Sequence, residues 1–119
     1  MYDPGLIRMA TKAALRCGFA LPQGTYLATL GPNYETRAEY RFFRRIGADM
    51  VGMSTVPEVL LAVELNMKVL GFSIVTNVAN PDAMTKTNHE EVLSWGARAQ
   101  RKLEPLLASL LSDMSGPPD

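Results

Sequence analysis

Met50-Val51-Gly52-Met53-Ser54-Thr55-Val56-Pro57-Glu58 is the stretch that decides the fold. Its first four residues are apolar or small and lie between two stretches with helical patterning, the pattern of a short buried strand. Ser54 or Thr55 is placed to cap the next helix, with Pro57 early in it and Glu58 in its first turn. That helix is expected to run to about Leu65. On the other side, a helix is expected over about Thr36 to Ile46, stopped by Gly47. Before it, Gly24-Thr25-Tyr26-Leu27-Ala28-Thr29-Leu30 reads as a strand broken by Gly31-Pro32. Beyond the third helix, Lys68 to Thr76 (KVLGFSIVT) is the most strand-like segment of the chain, rich in β-branched and aromatic residues. Strands alternating with helices predict an α/β layered fold.

The ends add helices. Asp3 can cap a helix with Pro4 in its first position, running to about Cys17 and stopped by Gly18. Leu6, Met9, Ala10, Ala13 and Leu15 supply its apolar stripe. Residues 77–87 read as a polar loop turning at Asn80-Pro81-Asp82. Asn88 then opens a long helix from His89 to about Leu111, with Glu90 and Glu91 near its positive end. Pro105 inside it predicts a kink or break, and Ser115 to Asp119 a frayed tail. About three strands with about four helices make a small sheet whose outer strands present unpaired edges, so the layered fold reads as incomplete.

Composition narrows the classes of function. The chain has 119 residues, 47% hydrophobic and 20% charged, with twelve basic and twelve acidic residues that cancel. No global field draws it to nucleic acid or a membrane. The one basic concentration, Arg37, Arg41, Arg44 and Arg45, is interleaved with Glu35, Glu39 and Asp49 and reads as a solvated helix face. Cys17 is the only cysteine, which suits a reducing compartment, and its expected role is a small buried residue near a helix end. Met1 to Met9 lack the pattern of a signal peptide, and no stretch approaches the roughly 20 apolar residues that span a bilayer. A cytoplasmic location is expected.

Four segments place small or polar residues at or near element ends, where open α/β sheets gather ligand-binding groups. In Gly31 to Thr36, Tyr34 beside Glu35 suits a planar ring with N–H groups on its edge; alternatively Asn33 or Thr36 caps a helix and Glu35 complements its dipole. In Val51 to Glu58, Ser54 and Thr55 precede a helix N-terminus that can receive an anion, although simple capping is the commoner explanation for such residues. Thr76-Asn77 ends the best strand, where Asn also serves as a turn former. His89, in Asn88 to Glu91, is the only histidine, so a Cys/His metal cluster is excluded, and a lone histidine at a helix start is commonly a structural hydrogen-bonder.

Together, GTYLATLGPNYETRAE (residues 24–39), IGADMVGMSTVPEVLLA (46–62), VLGFSIVTN (69–77) and NHEEVL (88–93) resemble the second half of the trimeric purine nucleoside phosphorylases. The match runs from about Tyr2 to the final helix, and the GADMVGMSTVPE segment is its most specific part. The resemblance implies a layered α/β/α phosphorylase-like fold. Residues 1–114 would be the C-terminal part of a nucleoside phosphorylase domain and 115–119 a flexible tail. It implies reversible phosphorolysis, in which a purine nucleoside and phosphate give free purine and ribose 1-phosphate, a glycosyl transfer of purine salvage. Glu35 resembles the carboxylate that accepts protons from the N1 edge and 2-amino group of a 6-oxopurine. Tyr34 stands where the family places an aromatic against the base. Met53 resembles the residue under the ribose, and Ser54 a phosphate contact. Thr76 and Asn77 resemble the pair facing N7 and O6, and His89 the histidine that bonds the ribose 5′-hydroxyl. Asn77 and His89 are the catalytic candidates. No metal and no organic cofactor are implied; phosphate is the co-substrate.

An amide at residue 77 offers an acceptor for N7–H and a donor for O6 from one planar group, whereas an aspartate would suit a 6-amino base. Inosine, guanosine and their deoxy forms are the expected substrates. The family's Gly-Ser loop, Arg-x-His segment and Ala-containing loop, which hold most of the phosphate, have no match here. The chain alone is therefore expected to be inactive. It would act in a homo-oligomer, a trimer in the family, or beside a separate N-terminal half. The alternative is a catalytically inactive module that binds purine or assembles with a partner.

Overall fold

The computed structural model describes residues 1–82 and 89–115, the side chains of His89 and Glu91 excepted. Its elements run α1 (Pro4–Arg16), β1 (Tyr26–Ala28), α2 (Arg37–Arg45), β2 (Met50–Gly52), α3 (Val56–Glu64) and α4 (His89–Ser115). The strands pair in parallel, with Tyr26 opposite Met50, Leu27 opposite Val51 and Ala28 opposite Gly52. Parallel partners need a crossover, and α2 supplies it. The Asp49 carboxylate accepts the Thr25 N–H at 2.8 Å, and the Thr25 carbonyl accepts the Asp49 and Met50 N–H groups at 3.0 and 3.1 Å. At the other end, the Thr29 N–H donates to the Gly52 carbonyl at 2.9 Å and extends the ladder by one bond.

Local chemistry explains the helices. The Asp3 carboxylate accepts the Leu6 N–H at 2.8 Å and Pro4 lies in the first turn, so α1 starts where the sequence says it should. Thr36 and Glu39 form a capping box on α2, with Glu39 accepting the Thr36 N–H at 2.6 Å and the Thr36 hydroxyl accepting the Glu39 N–H at 3.3 Å. Those Thr36 bonds to the carboxylate, the backbone one first, hold Glu39 below the usual glutamate value. The core lies where α1 meets α4: Ala10, Ala13 and Ala14 present almost no side chain, so Leu106 and Leu110 seat directly against them. Leu15 points away and is exposed, and Cys17 caps the helix C-terminus only partly buried. Arg16 ties the same two helices from outside, donating to Ser109 at 2.9 Å and pairing with Asp113.

Three expectations are corrected. Residues 68–76 form no named strand; a single parallel bridge joins Tyr2 to Val69, with the Asp3 N–H donating to the Val69 carbonyl at 2.8 Å. Strand-forming residue types set a preference, but a strand exists only as a ladder, and among the described residues only that bridge pairs this segment. The described residues therefore form two parallel strands and four helices, an incomplete α/β fold. Secondly, of the kink or break expected at Pro105 the break is absent: α4 runs through it to Ser115. Pro105 deletes one helical hydrogen bond, while the buried Leu106 and Leu110 hold the turns after it on α1. Thirdly, neither Ser54 nor Thr55 caps α3 with its side chain. Gly116 to Asp119, most of the expected tail, lie outside the described residues.

Leu106 is 1% exposed and Leu111 is 60% exposed on the same helix. Leu106→Ala is expected to cost about 2–5 kcal/mol in urea unfolding, and Leu111→Ala no more than about 0.5 kcal/mol. Equal losses would place the core elsewhere.

Candidate active site

Because β1 and β2 run parallel, the chain leaves both at the same end, and the segments that follow face one cleft of about 520 Å³. Tyr34, Glu35, Met53, Ser54, Thr76 and Asn77 all line it. Six of the seven residues singled out from the sequence thus meet across three separate segments. The His89 side chain lies outside the described residues. One wall is the β1–α2 connection, the second the turn after β2, and the third the extended stretch from Phe72 to Ala79.

Close packing shapes the floor. A Cβ on Gly52 would stand 2.2 Å from the Tyr26 hydroxyl, so only glycine lets that ring lie across the end of β2. Gly31 turns the chain at φ 65°, and a Cβ there would stand 2.6 Å from the Met53 sulfur. Met53 therefore packs beneath the turn that delivers Tyr34 and Glu35. The Thr29 hydroxyl donates to Glu35 Oε1 at 2.9 Å. Tyr40, one turn into α2, lines the cleft beside the same carboxylate. Its phenol is pushed above the usual tyrosine value by burial first and then by the Glu35 charge.

The turn into α3 is strained. Thr55 has φ 77° and ψ −52°, and the Val56 N–H donates to the Ser54 carbonyl at 2.9 Å. That is a γ-turn centred on a β-branched residue, a conformation costing of order 1–3 kcal/mol. It also changes what the helix N-terminus can offer an anion. The Val56 N–H is already taken by Ser54, and Pro57 has none. The turn also presents a pair of hydroxyls, Ser54 Oγ and Thr55 Oγ1, 3.2 Å apart. Arg44 is the one cation among the described residues lining the cleft.

On the third wall, the Thr76 hydroxyl donates to Asn77 Oδ1 at 2.9 Å. With the amide in that orientation its NH₂ is left for a ligand acceptor. The loop beyond is anchored to α2. Arg41 pairs with Asp82 at 2.6 Å and donates to the Pro81 carbonyl at 3.4 Å, and the Asp82 N–H donates to Asn80 Oδ1 at 3.2 Å. The basic residues of α2 are thus not all a solvated face: Arg41 ties two walls together and Arg44 borders the cleft.

Sequence reasoning missed Thr29, Tyr40, Arg41 and the strain at Thr55. Thr29 was hidden as an ordinary strand residue, Tyr40 and Arg41 as members of a charged helix. The usable signal was proximity, since Thr29 and Tyr40 lie six residues before and five after Glu35.

A pair of parallel strands thus brings an aromatic–carboxylate pair, a hydroxyl turn and an amide to one cleft of an incomplete α/β fold. The family model of the phosphorylase superfamily matches residues 1–112, and the chain belongs to that superfamily. It is 47% identical over 96 residues to a purine nucleoside phosphorylase of Bos taurus, covering 79% of this chain and 33% of that protein. It is 44% identical over 117 residues to the purine nucleoside phosphorylase of Rattus norvegicus, covering 95% of this chain and 40% of that one. A schistosoma purine nucleoside phosphorylase in complex with hypoxanthine superposes with a TM-score of 0.91 at 35% identity, over 97% of this chain and 42% of that one. The Schistosoma mansoni enzyme in complex with inosine gives 0.89 at 36% identity, over 99% of this chain and 42% of that one. The chain thus spans about a third to two-fifths of the length of these relatives. Among the described residues, no group of three His, Cys, Asp or Glu is placed to hold a metal, and no helix is long and apolar enough to cross a membrane.

The Arg41 pair holds the Asp82 carboxyl below its usual value, so the charged tie is complete above the ordinary aspartate range and is lost as pH falls through the lowered value. Both partners are well exposed, so global stability should barely change when the pair is broken. Arg41→Ala is expected to speed amide exchange at Ala79 to Asp82 several-fold at neutral pH. In strong acid the unaltered chain should match it. Identical exchange in both proteins at neutral pH would show that the pair anchors nothing.

Proposed function

We propose that this chain is the purine- and ribose-reading part of a purine nucleoside phosphorylase acting in cytoplasmic purine salvage. The reaction is nucleoside plus orthophosphate to free base plus ribose 1-phosphate. The observation that carries the reading is the convergence of Tyr34, Glu35, Met53, Ser54, Thr76 and Asn77 on one cleft. On this reading Tyr34 stacks on the base and Glu35 accepts from its N1 edge. Met53 packs under the ribose, and the Ser54 hydroxyl contacts phosphate. His89 is assigned the 5′-hydroxyl.

As the glycosidic bond breaks, negative charge flows onto the purine, so a group at N7 and O6 acts chiefly in the transition state. With Thr76 holding its oxygen end, Asn77 presents NH₂ to O6 and a remaining lone pair to N7–H. This favours 6-oxopurines. Relatives have been solved with inosine, guanosine and also adenosine, so the preference here rests on Asn77 rather than on them. In a full-length relative carrying these 119 residues, Asn77→Asp is expected to shift the ratio of specificity constants from inosine towards adenosine by on the order of 1–3 kcal/mol. An unchanged ratio would remove Asn77 from base selection.

Phosphate is the co-substrate, and the described cleft is poorly equipped for it. Ser54 is its one matched contact, and the γ-turn takes the Val56 N–H away. Placing a nucleophile in line can be worth about 7–11 kcal/mol of barrier, and one hydroxyl neither neutralises nor orients a dianion. Exposed Leu60, Leu61, Leu65 and Met67 on and after α3 also form an apolar surface, which we assign to contact with a further part of the domain or a second copy. A coupled assay of hypoxanthine release should give no turnover from the 119 residues alone, and turnover on mixing with the N-terminal half of a relative. Robust turnover by the chain alone would contradict this division of labour.

A further inference from the structure

Residues 69–76 have the composition of a strand and almost none of its bonds. Val69, Phe72, Ile74, Val75 and Thr76 are β-branched or aromatic, and no proline or charged residue interrupts the run. Its backbone pairing to the described residues is confined to Val69, which holds the bridge to Tyr2 and accepts the Asp3 N–H. From Leu70 to Thr76 the backbone makes no bond to another described backbone group. Leu70 and Phe72 pack on the α1–α4 core, whereas Ile74 is 44% and Val75 59% exposed. An extended, uncharged segment anchored at one end and open along its length is a template for an added strand.

Surface area shows how much a partner has to cover. A compact folded chain of 13.0 kDa exposes about 6,300 Å². This chain exposes 9202 Å², roughly 2,900 Å² more. Its radius of gyration is 16.3 Å, where a compact chain of this length has about 13.5 Å. A standard interface takes about 800 Å² from each partner, so the surplus is ample for one.

A second copy fits this edge by charge and by symmetry. Twelve basic and twelve acidic residues cancel, so two copies meet without net repulsion. In an antiparallel pairing with its two-fold axis at Ser73, Phe72 faces Ile74 twice, Gly71 faces Val75 and Leu70 faces Thr76. Aromatic and β-branched residues pair favourably across strands, and the exposed Ile74 gains an apolar neighbour. Lys68 and Asp82, the nearest charges on either side, fall outside the paired run.

We propose that residues 70–76 are a docking edge for a second copy of this chain, which adds its own 70–76 antiparallel about Ser73. The contact uses the same patch on both copies and closes at two. It gives the third wall of the cleft the ladder that a single chain does not supply. It is independent of the purine reading.

Sedimentation equilibrium of the 119-residue chain from about 1 μM to about 1 mM is expected to show monomer passing to dimer and no further. Over the same range the amides of Gly71 to Val75 should gain protection from hydrogen exchange. Ser73→Lys and Ser73→Glu each set like charges face to face on the axis, and each should stay folded by circular dichroism but monomeric. Mixed in equal amounts, they should pair at least roughly tenfold more tightly than either does alone. Leu61→Lys, on the exposed face of α3, should leave the dimer intact.

A monomer at the top of the range, a mass that climbs past two copies, or a mixture that stays monomeric would overturn the proposal. So would a dimer that survives both Ser73 variants and dissolves in Leu61→Lys, which would put the second copy on α3. Exchange needs no variant, and protection that does not change with concentration would overturn the proposal by itself. Protection of Gly71 to Val75 that arises only when the N-terminal half of a relative is added would assign the edge to a further part of the domain instead.

Discussion

The parallel pairing of Tyr26–Ala28 with Met50–Gly52 is the constraint on which the rest depends. Parallel strands discharge their chains at the same end, so the residues after β1 and those after β2 must share one edge of the sheet. In an antiparallel pair Tyr34 and Glu35 would lie at the opposite end from Met53 and Ser54. The pairing also sets the register that places Gly52 opposite Ala28, with the Gly52 carbonyl taking the Thr29 N–H. Moving that register by one residue would turn each side chain of one strand to the other face.

From that ladder the cleft follows by short-range chemistry. Gly31 turns the chain over Met53, the Thr36–Glu39 capping box starts α2 directly after Glu35, and the Thr55 γ-turn starts α3 directly after Ser54. Each of these two walls is thus carried by the segment that leaves a strand, one to seven residues beyond its end. The third wall is held differently. Residues 72–79 belong to no ladder, and their neighbours are fixed at one end by the Tyr2–Val69 bridge and at the other by the Arg41–Asp82 pair. The strained turn and the loosely tied stretch both border the cleft, and of its lining Phe72 reaches the α1–α4 core. Strain is commonly kept where a site must be shaped rather than where a core must be packed.

Much of this was legible in the residues. Asp3-Pro4, the Thr36–Glu39 spacing and Gly47 announce helix ends by local chemistry that needs no partner, and α1 and α2 fall where they indicate. The strand–helix–strand order was equally readable. Lys68 to Thr76 was not, because its β-branched residues state a preference that only a neighbouring ladder can realise. Pro105 misled for the converse reason: burial of Leu106 and Leu110 holds a helix that its local sequence would interrupt. Thr55 looked like an ordinary cap, and nothing in a residue type reveals that its φ is positive. The residues lining the cleft came from a motif resemblance, while the bond from Thr29 to Glu35 depends on how the strand meets the turn after it and became visible only with coordinates.

The central claim is that the strand ends and residues 72–79 form one site for a purine. Backbone amide shifts recorded while guanine is added to the chain test it most directly. The account predicts perturbations grouped at Tyr34, Glu35, Gly52 to Ser54 and Thr76 to Ala79, with the α1–α4 core unmoved. Shifts concentrated instead on Tyr2, Ile7 and Leu70 in the adjoining cavity of about 210 Å³, or no shifts at saturating base, would contradict it.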